Sequence, residues 1–161
     1  MTNYDFLGQD LALGFVADEN GTTVAGPFSH PDLQAVQHGR AFPRAMDLDL
    51  VTGLANFVQS LITRLETERG ELAALGHPNY GSRHHQLIGE PNTEPNRNLV
   101  KLYVLECLKQ DARIAAIDKI DVKPGQGREN KDKVEVTIAL RVQGVASPLN
   151  FVVPFSFAGP L

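Results

Sequence analysis

The clearest hydrophobic pattern lies in the last third of the chain. Val134, Val136, Ile138, Leu140 and Val142 alternate without a fault against Glu135, Thr137, Ala139, Arg141 and Gln143. A period of two sends successive side chains to opposite faces, so this segment predicts a strand with one buried and one wet face. After a turn over 144–148, Leu149, Phe151, Val153, Phe155 and Phe157 alternate against Asn150, Val152, Pro154 and Ser156. Upstream, Ile114, Ile117, Ile120 and Val122 predict another strand, set off by a polar loop over 124–132 that holds Gly125 and Gly127. Short strands joined by turns predict an antiparallel meander.

Before the meander the period changes. Leu50, Leu54, Phe57, Leu61 and Leu65 fall on one helical face, with Val58 and Ile62 widening the stripe. This predicts a helix from about residue 47, capped by Asp47 or Asp49, running to about Glu68 and stopping at Gly70. A loop carrying Gly76-His77-Pro78-Asn79-Tyr80-Gly81 follows, and Ser82 reads as the cap of a short helix through Ile88. A third helix starts near Thr93 or Pro95, presents Leu99, Leu102, Leu105 and Leu108 with Val100 and Val104 beside them, and ends near Gln110. Residues 1–46 are less regular. A hairpin is predicted from a run over 11–16, the turn residues Asp18-Glu19-Asn20-Gly21 and a second run over 22–25. Gly26-Pro27, His30-Pro31 and Phe42-Pro43 then favour an extended arm. The expected fold is α+β, with three helices packed on a small antiparallel C-terminal sheet and an irregular N-terminal hairpin and arm. Residues 1–46 form the arm and 47–161 the main domain.

Composition narrows the partners. The chain has 161 residues, 42% hydrophobic and 21% charged, which fits one globular domain. A net charge of −4 lacks the basic footprint of a general nucleic-acid binder. It also gives no reason to expect an anionic membrane surface as partner. No apolar run approaches the ~20 residues of a membrane span, and the start of the chain has no basic and apolar leader pattern. The single cysteine, Cys107, sits among apolar neighbours and reads as a buried hydrophobe. A soluble protein made in a reducing cytoplasm is expected.

Pro154 has no N–H to give a ladder, which confines the last strand to an edge or a strand end. No lysine or arginine follows Arg141, so nothing charged protects that edge. It is covered by the N-terminal arm, or offered to another chain by strand addition, or simply packed within its own domain.

Candidate chemistry is sparse. His84 and His85 are adjacent and point about 100° apart on a helix, His77 lies across a turn, and Cys107 is alone. Neither a metal nor a cofactor is expected. Glu66, Glu68 and Glu71, with Glu90 and Glu94, raise the question of a glycosidase. Sugar clefts usually stack substrate on aromatic rings, whereas Trp is absent here and Tyr numbers three. The glutamates read as a solvated face, and no active site or enzymatic activity is expected.

The stretch Leu65-Glu66-Thr67-Glu68-Arg69-Gly70-Glu71, followed by Pro78-Asn79-Tyr80-Gly81-Ser82, resembles the signature of a phage baseplate family. Its members are the W-like and gene-25-like wedge proteins of contractile tails, with relatives in type VI secretion and phage-tail-like bacteriocins. The resemblance spans roughly 49–157. Where many members carry Glu-Pro-Arg before the sheet, this chain reads Asp111-Ala112-Arg113. The resemblance implies a structural subunit of the virion tail baseplate, in six copies per particle, that initiates the sheath by strand exchange with its first ring. It implies sheath-facing strands at Val134, Val136, Ile138 and Leu140 and at Asn150, Val152, Pro154 and Ser156. A motif contacting the core and neighbouring wedge subunits would comprise Thr67, Arg69, Gly70, Glu71, Tyr80, Gly81, Asp111 and Arg113. Partners would be the tail sheath protein and other wedge proteins, with tube and hub proteins as further partners. A competing reading is a baseplate-associated peptidoglycan hydrolase, a label some family members have carried. Another is a module whose edge strand pairs with a second copy of itself.

Overall fold

The structure is a computed structural model. It describes residues 5–13, 16–17, 23–24, 35–37, 46–48 and 50–159, with side chains for 6–13 and 50–159. Six short strands come first: β1 (Gln9–Leu11), β2 (Val16–Ala17), β3 (Thr23–Val24), β4 (Ala35–Gln37), β5 (Met46–Leu48) and β6 (Leu50–Thr52). Helices α1 (Gly53–Glu66) and α2 (Glu94–Leu108) follow, then β7 (Ile114–Pro124), β8 (Lys133–Val142) and β9 (Leu149–Ser156). The architecture is α+β, as expected.

The C-terminal meander matches the alternation pattern. β8 is central, antiparallel to β7 on one side and β9 on the other. Inward residues line up across the strands: Ile120, Ile138 and Phe151 form one row, and Val122, Val136 and Val153 the next. Such cross-strand rows are the unit of sheet stabilisation. The row centres are closed to solvent, with Ile138, Leu140 and Phe151 at 0% exposure. They share one core with the α1 stripe of Phe57, Val58, Leu61, Ile62 and Leu65.

Several expectations are corrected. Residues 46–48 and 50–52 are extended rather than helical, so Asp47 lies in β5, and Asp49 falls outside the described residues. β6 pairs with β1 in the register Leu11↔Leu50, leaving Leu50 58% exposed instead of in the helical stripe. The pairing with β1 overrides a helical spacing that a β-branched pair, Val51-Thr52, supports poorly. Thr52 precedes α1 but makes no side-chain cap, and the helix ends at Glu66, two residues early. The second expected helix is only a 3-10 turn over His84–Leu87, leaving two α-helices among the described residues. α2 begins as expected, with the Thr93 hydroxyl accepting from the Asn96 N–H at 3.4 Å and Pro95 in its first turn. Its buried stripe is Val100, Val104, Cys107 and Leu108, while Leu102 points outward at 45% exposure. The spacing 100, 104, 107, 108 keeps to one face, whereas 99, 102, 105 drifts around the helix.

The N-terminal segment is stitched to α1 by side chains. Asn56 Nδ2 donates to the Leu7 carbonyl at 2.9 Å, and Gln59 Nε2 donates to the Leu11 carbonyl at 2.8 Å. Gln59 Oε1 accepts from the Leu13 N–H at 2.9 Å. Both amides are buried and thereby satisfied. A hairpin joins β2 and β3, but its first strand is Val16–Ala17 rather than the expected run over 11–16, whose Leu11 pairs with Leu50, and its turn residues lie outside the described set. β3 also joins the main sheet, parallel to β9 through Val24↔Val152. The sheet order is therefore β2-β3-β9-β8-β7.

Truncating the central aromatic tests this core. Phe151→Ala is expected to cost about 3–5 kcal/mol in chemical unfolding, the range for emptying a packed aromatic site. A cost under about 1 kcal/mol would mean that the β8–β9 row is not the centre of the core.

Candidate functional site

The residues after α1 close a clasp. Thr67 turns extended at the helix end, and its hydroxyl donates to the Thr63 carbonyl at 2.8 Å. The Thr67 carbonyl accepts the Ser82 N–H at 2.9 Å, and the Ser82 carbonyl accepts the Arg69 N–H at 3.0 Å. Gly70 N–H donates to the Tyr80 carbonyl at 3.4 Å, and Arg69 Nη2 to Asn79 Oδ1 at 3.2 Å. Glu71 Oε2 accepts the Glu68 N–H at 3.3 Å, so this glutamate ties its own turn. Gly81 is obligatory here. Its φ is +96°, and a Cβ would lie 2.6 Å from the Thr67 carbonyl oxygen. Six of the eight motif residues, Thr67, Arg69, Gly70, Glu71, Tyr80 and Gly81, thus belong to one loop that holds itself.

The other two meet beneath it. Arg113 Nη2 lies 2.7 Å from Asp111 Oδ2 and Arg113 Nε 2.9 Å from Asp111 Oδ1, a bidentate pair. The Arg113 backbone N–H donates to the same Oδ1 at 3.0 Å, and Nη2 donates to Ser60 Oγ at 3.0 Å. The Arg113 guanidinium sits 4.7 Å over the Phe57 ring. Arg64 approaches Asp111 Oδ2 at 3.9 Å and lies 4.8 Å over the Tyr80 ring. Two cations therefore share one buried carboxylate, linking α1, the clasp and the entry to β7. Burial alone would raise the Asp111 pKa, but hydrogen bonds from the Arg113 side chain and backbone, with the charges of Arg113 and Arg64, hold it below its ordinary value. Burial raises the Tyr80 pKa, against the opposing pull of Arg64. Sequence reading missed Arg64, Ser60 and Phe57. Their spacing was the available signal, since 57, 60 and 64 fall on one helical face.

A second buried polar pair lies beside the clasp. His84 Nδ1 and Ser82 Oγ are 2.8 Å apart and both residues are buried. Phe155 meets the His84 ring edge-on at 4.9 Å, and His85 stacks on it at 4.2 Å. Burial, with the neighbouring His85, pushes the His84 pKa down to about 3, so it is held neutral. His85 Nε2 lies 3.0 Å from the Leu65 carbonyl. The two histidines thus tie backbone and core. Among the described residues no three His, Cys, Asp or Glu side chains come together as a metal would need.

The sheath-facing candidates divide. Val134, Val136, Ile138 and Leu140 are core residues on a strand paired along both sides. On β9, Asn150 is exposed and Val152 and Pro154 are half-buried on the outer face, whereas Ser156 is buried. Glu66, Glu68, Glu71, Glu90 and Glu94 are all exposed. An open groove of about 400 Å³ between α2 and β7 is lined by Leu105, Lys109, Asp111, Ile114 and Ile117 among others. Its one carboxylate is the Asp111 held by Arg113.

No family model and no curated protein matches the chain. Among solved structures it is similar to a crystal structure from Geobacter sulfurreducens described as a "putative tail lysozyme", with a TM-score of 0.52 and 24% identity. The match covers 61% of this chain and 85% of that one. What the two share is the fold. Among the described residues no helix is long and apolar enough to cross a membrane.

Two measurements probe the buried charges. Asp111→Asn leaves Arg64 and Arg113 uncompensated and is expected to cost about 2–3 kcal/mol, the lower part of the buried-pair range because Arg113 is one-third exposed. An unchanged unfolding midpoint would show the cluster to be solvated. For His84, the unfolded chain takes up a proton below about pH 6.5 while the folded chain resists until about pH 3. Stability is thus full above pH 6.5 and falls as the pH drops through that window. His84→Asn should flatten the slope of stability against pH between 6.5 and 4.5, where the wild-type Asp111 carboxylate still contributes. Parallel slopes for variant and wild type would rule out a neutral buried His84.

Proposed function

We propose that this chain is a structural wedge subunit of a contractile-tail baseplate, present in six copies, that starts sheath assembly by giving the β9 edge to a strand of the first sheath ring. The observation that carries this reading is the contrast between the two sides of the meander. β7 bears the devices that discourage pairing: register shifts at 114/116 and 117/119, exposed Lys119 and Lys123, and a terminal Pro124. β9 bears no charge at all, and its lone proline sits where a missing N–H is tolerated. An edge free of such devices suits strand addition, in which main-chain hydrogen bonds supply affinity. The fold likeness and the clasp at 67–82 support the same reading. The clasp and the Arg64–Asp111–Arg113 cluster would face neighbouring wedge proteins, the tube and hub lying beyond them.

The name of the similar structure favours a cell-wall hydrolase as the second reading. That chemistry needs an acid raised by burial and a second carboxylate about 5–9.5 Å away across a sugar cleft. The exposed glutamates and the arginine-held Asp111 favour the structural role instead.

Val152 lies on the same side of the strand repeat as Pro154, so Val152→Pro removes a donor from the outer edge while sparing the β8 ladder. Loss of one main-chain hydrogen bond, about 1 kcal/mol per copy, should lower sheath initiation about fivefold or more, counted as sheathed tails by electron microscopy. The thermal midpoint should stay within a few degrees of wild type. Normal tails from this variant would sink the strand-exchange reading.

A further inference from the structure

The outer edge of β9 already has an occupant. β3, of two residues, lies parallel to β9 and meets it through the single register pair Val24↔Val152. The β8–β9 ladder, by contrast, runs antiparallel over eight pairs from Lys133↔Ser156 to Leu140↔Leu149. Parallel pairing is the less stable per residue, and a two-residue strand supplies little of it. β3 is braced by β2, itself only two residues long. The arm therefore masks Val152, at the middle of the β9 edge, with the weakest pairing in the sheet. β7 takes the opposite course: its edge is blunted by bulges and lysines, and among the described residues no strand pairs with it beyond β8.

From this asymmetry we infer that the β2–β3 hairpin is a removable cover, and that a partner strand docks on β9 by displacing Thr23–Val24 from Val152. This rests on the strand-exchange reading above and adds what that reading lacks, a reason why an unprotected edge does not pair with the wrong chain before assembly. The surface so exposed runs along Asn150, Val152 and Pro154. The strand that fits it is longer than two residues and alternating, with apolar side chains continuing the inner rows of Phe151, Val153 and Phe155. Displacement then exchanges one short parallel contact for a continuous ladder, which makes pairing favourable only when the correct strand is offered.

The test is a reversible lock. Cysteines at Val24 and Val152 occupy paired positions, at which Cα atoms lie within disulfide reach. Cys107 is buried, and burial pushes its pKa up to about 11, so it stays out of the exchange. The full-length double variant is co-expressed with the neighbouring tail genes, and sheathed tails are counted with and without reductant. Under oxidation sheath initiation is expected to fall about tenfold or more, and to recover when the disulfide is reduced, which also shows the fold intact. Equal initiation in both states overturns the cover while leaving strand exchange standing. Failure of the two cysteines to bond overturns it as well, because the hairpin would not then rest on β9. Wild-type protein that starts no sheath would instead remove the underlying reading, and the cover with it.

Discussion

The inner face of β8, from Val134 to Val142, can be buried in only one register, and the rest of the molecule is arranged around it. A slip of one residue would turn Val134, Val136, Ile138, Leu140 and Val142 to solvent and bring Glu135 and Arg141 into the core. With that register fixed, the rows through Ile120 and Phe151 follow, and the stripe of α1 has an apolar surface to meet. β8 is paired along both sides, and it places β7 and β9 as flanking strands of unlike character.

The charge cluster does a complementary job at the other end of the core. Asp111 is held ionised among groups that would otherwise raise its pKa, because Arg113 reaches it with two side-chain bonds and one backbone bond. Ser60 and Phe57 hold the guanidinium in place from α1, and Arg64 connects the same carboxylate to Tyr80 in the clasp. Three stretches distant in sequence are thereby fixed relative to one another: the end of α1, the loop at 67–82 and the start of β7. Buried ion pairs are a modest source of stability and a stronger source of defined geometry.

The two strands flanking β8 differ in how they are covered. β7 is protected in covalent fashion, by residues and bulges that no event removes. β9 is protected by a contact, the two-residue β3, and a contact can be exchanged. Those two kinds of protection suit a permanent boundary and a switchable one respectively.

Much of this was legible in the sequence. The period-two runs gave β8 and β9, Thr93 and Pro95 marked the start of α2, and the motif spacing brought Thr67, Arg69, Tyr80 and Gly81 into one turn. These signals are local, set by side-chain alternation, capping chemistry and the demands of positive φ. The sequence did not disclose that residues 46–48 and 50–52 are extended, that Leu102 faces outward, or that Arg64 joins Asp111. Each of those depends on which distant surface happens to lie alongside: β1 beside β6, the core beside one stripe of α2, the clasp above the end of α1. Sequence by itself determined β8, the start of α2 and the uncharged character of β9, because periodicity, capping residues and missing charges are written along the chain. Only the tertiary structure decided that β8 is central and that β3 lies on β9, because pairing between segments far apart is fixed by the packing of the whole chain rather than by any one stretch of it.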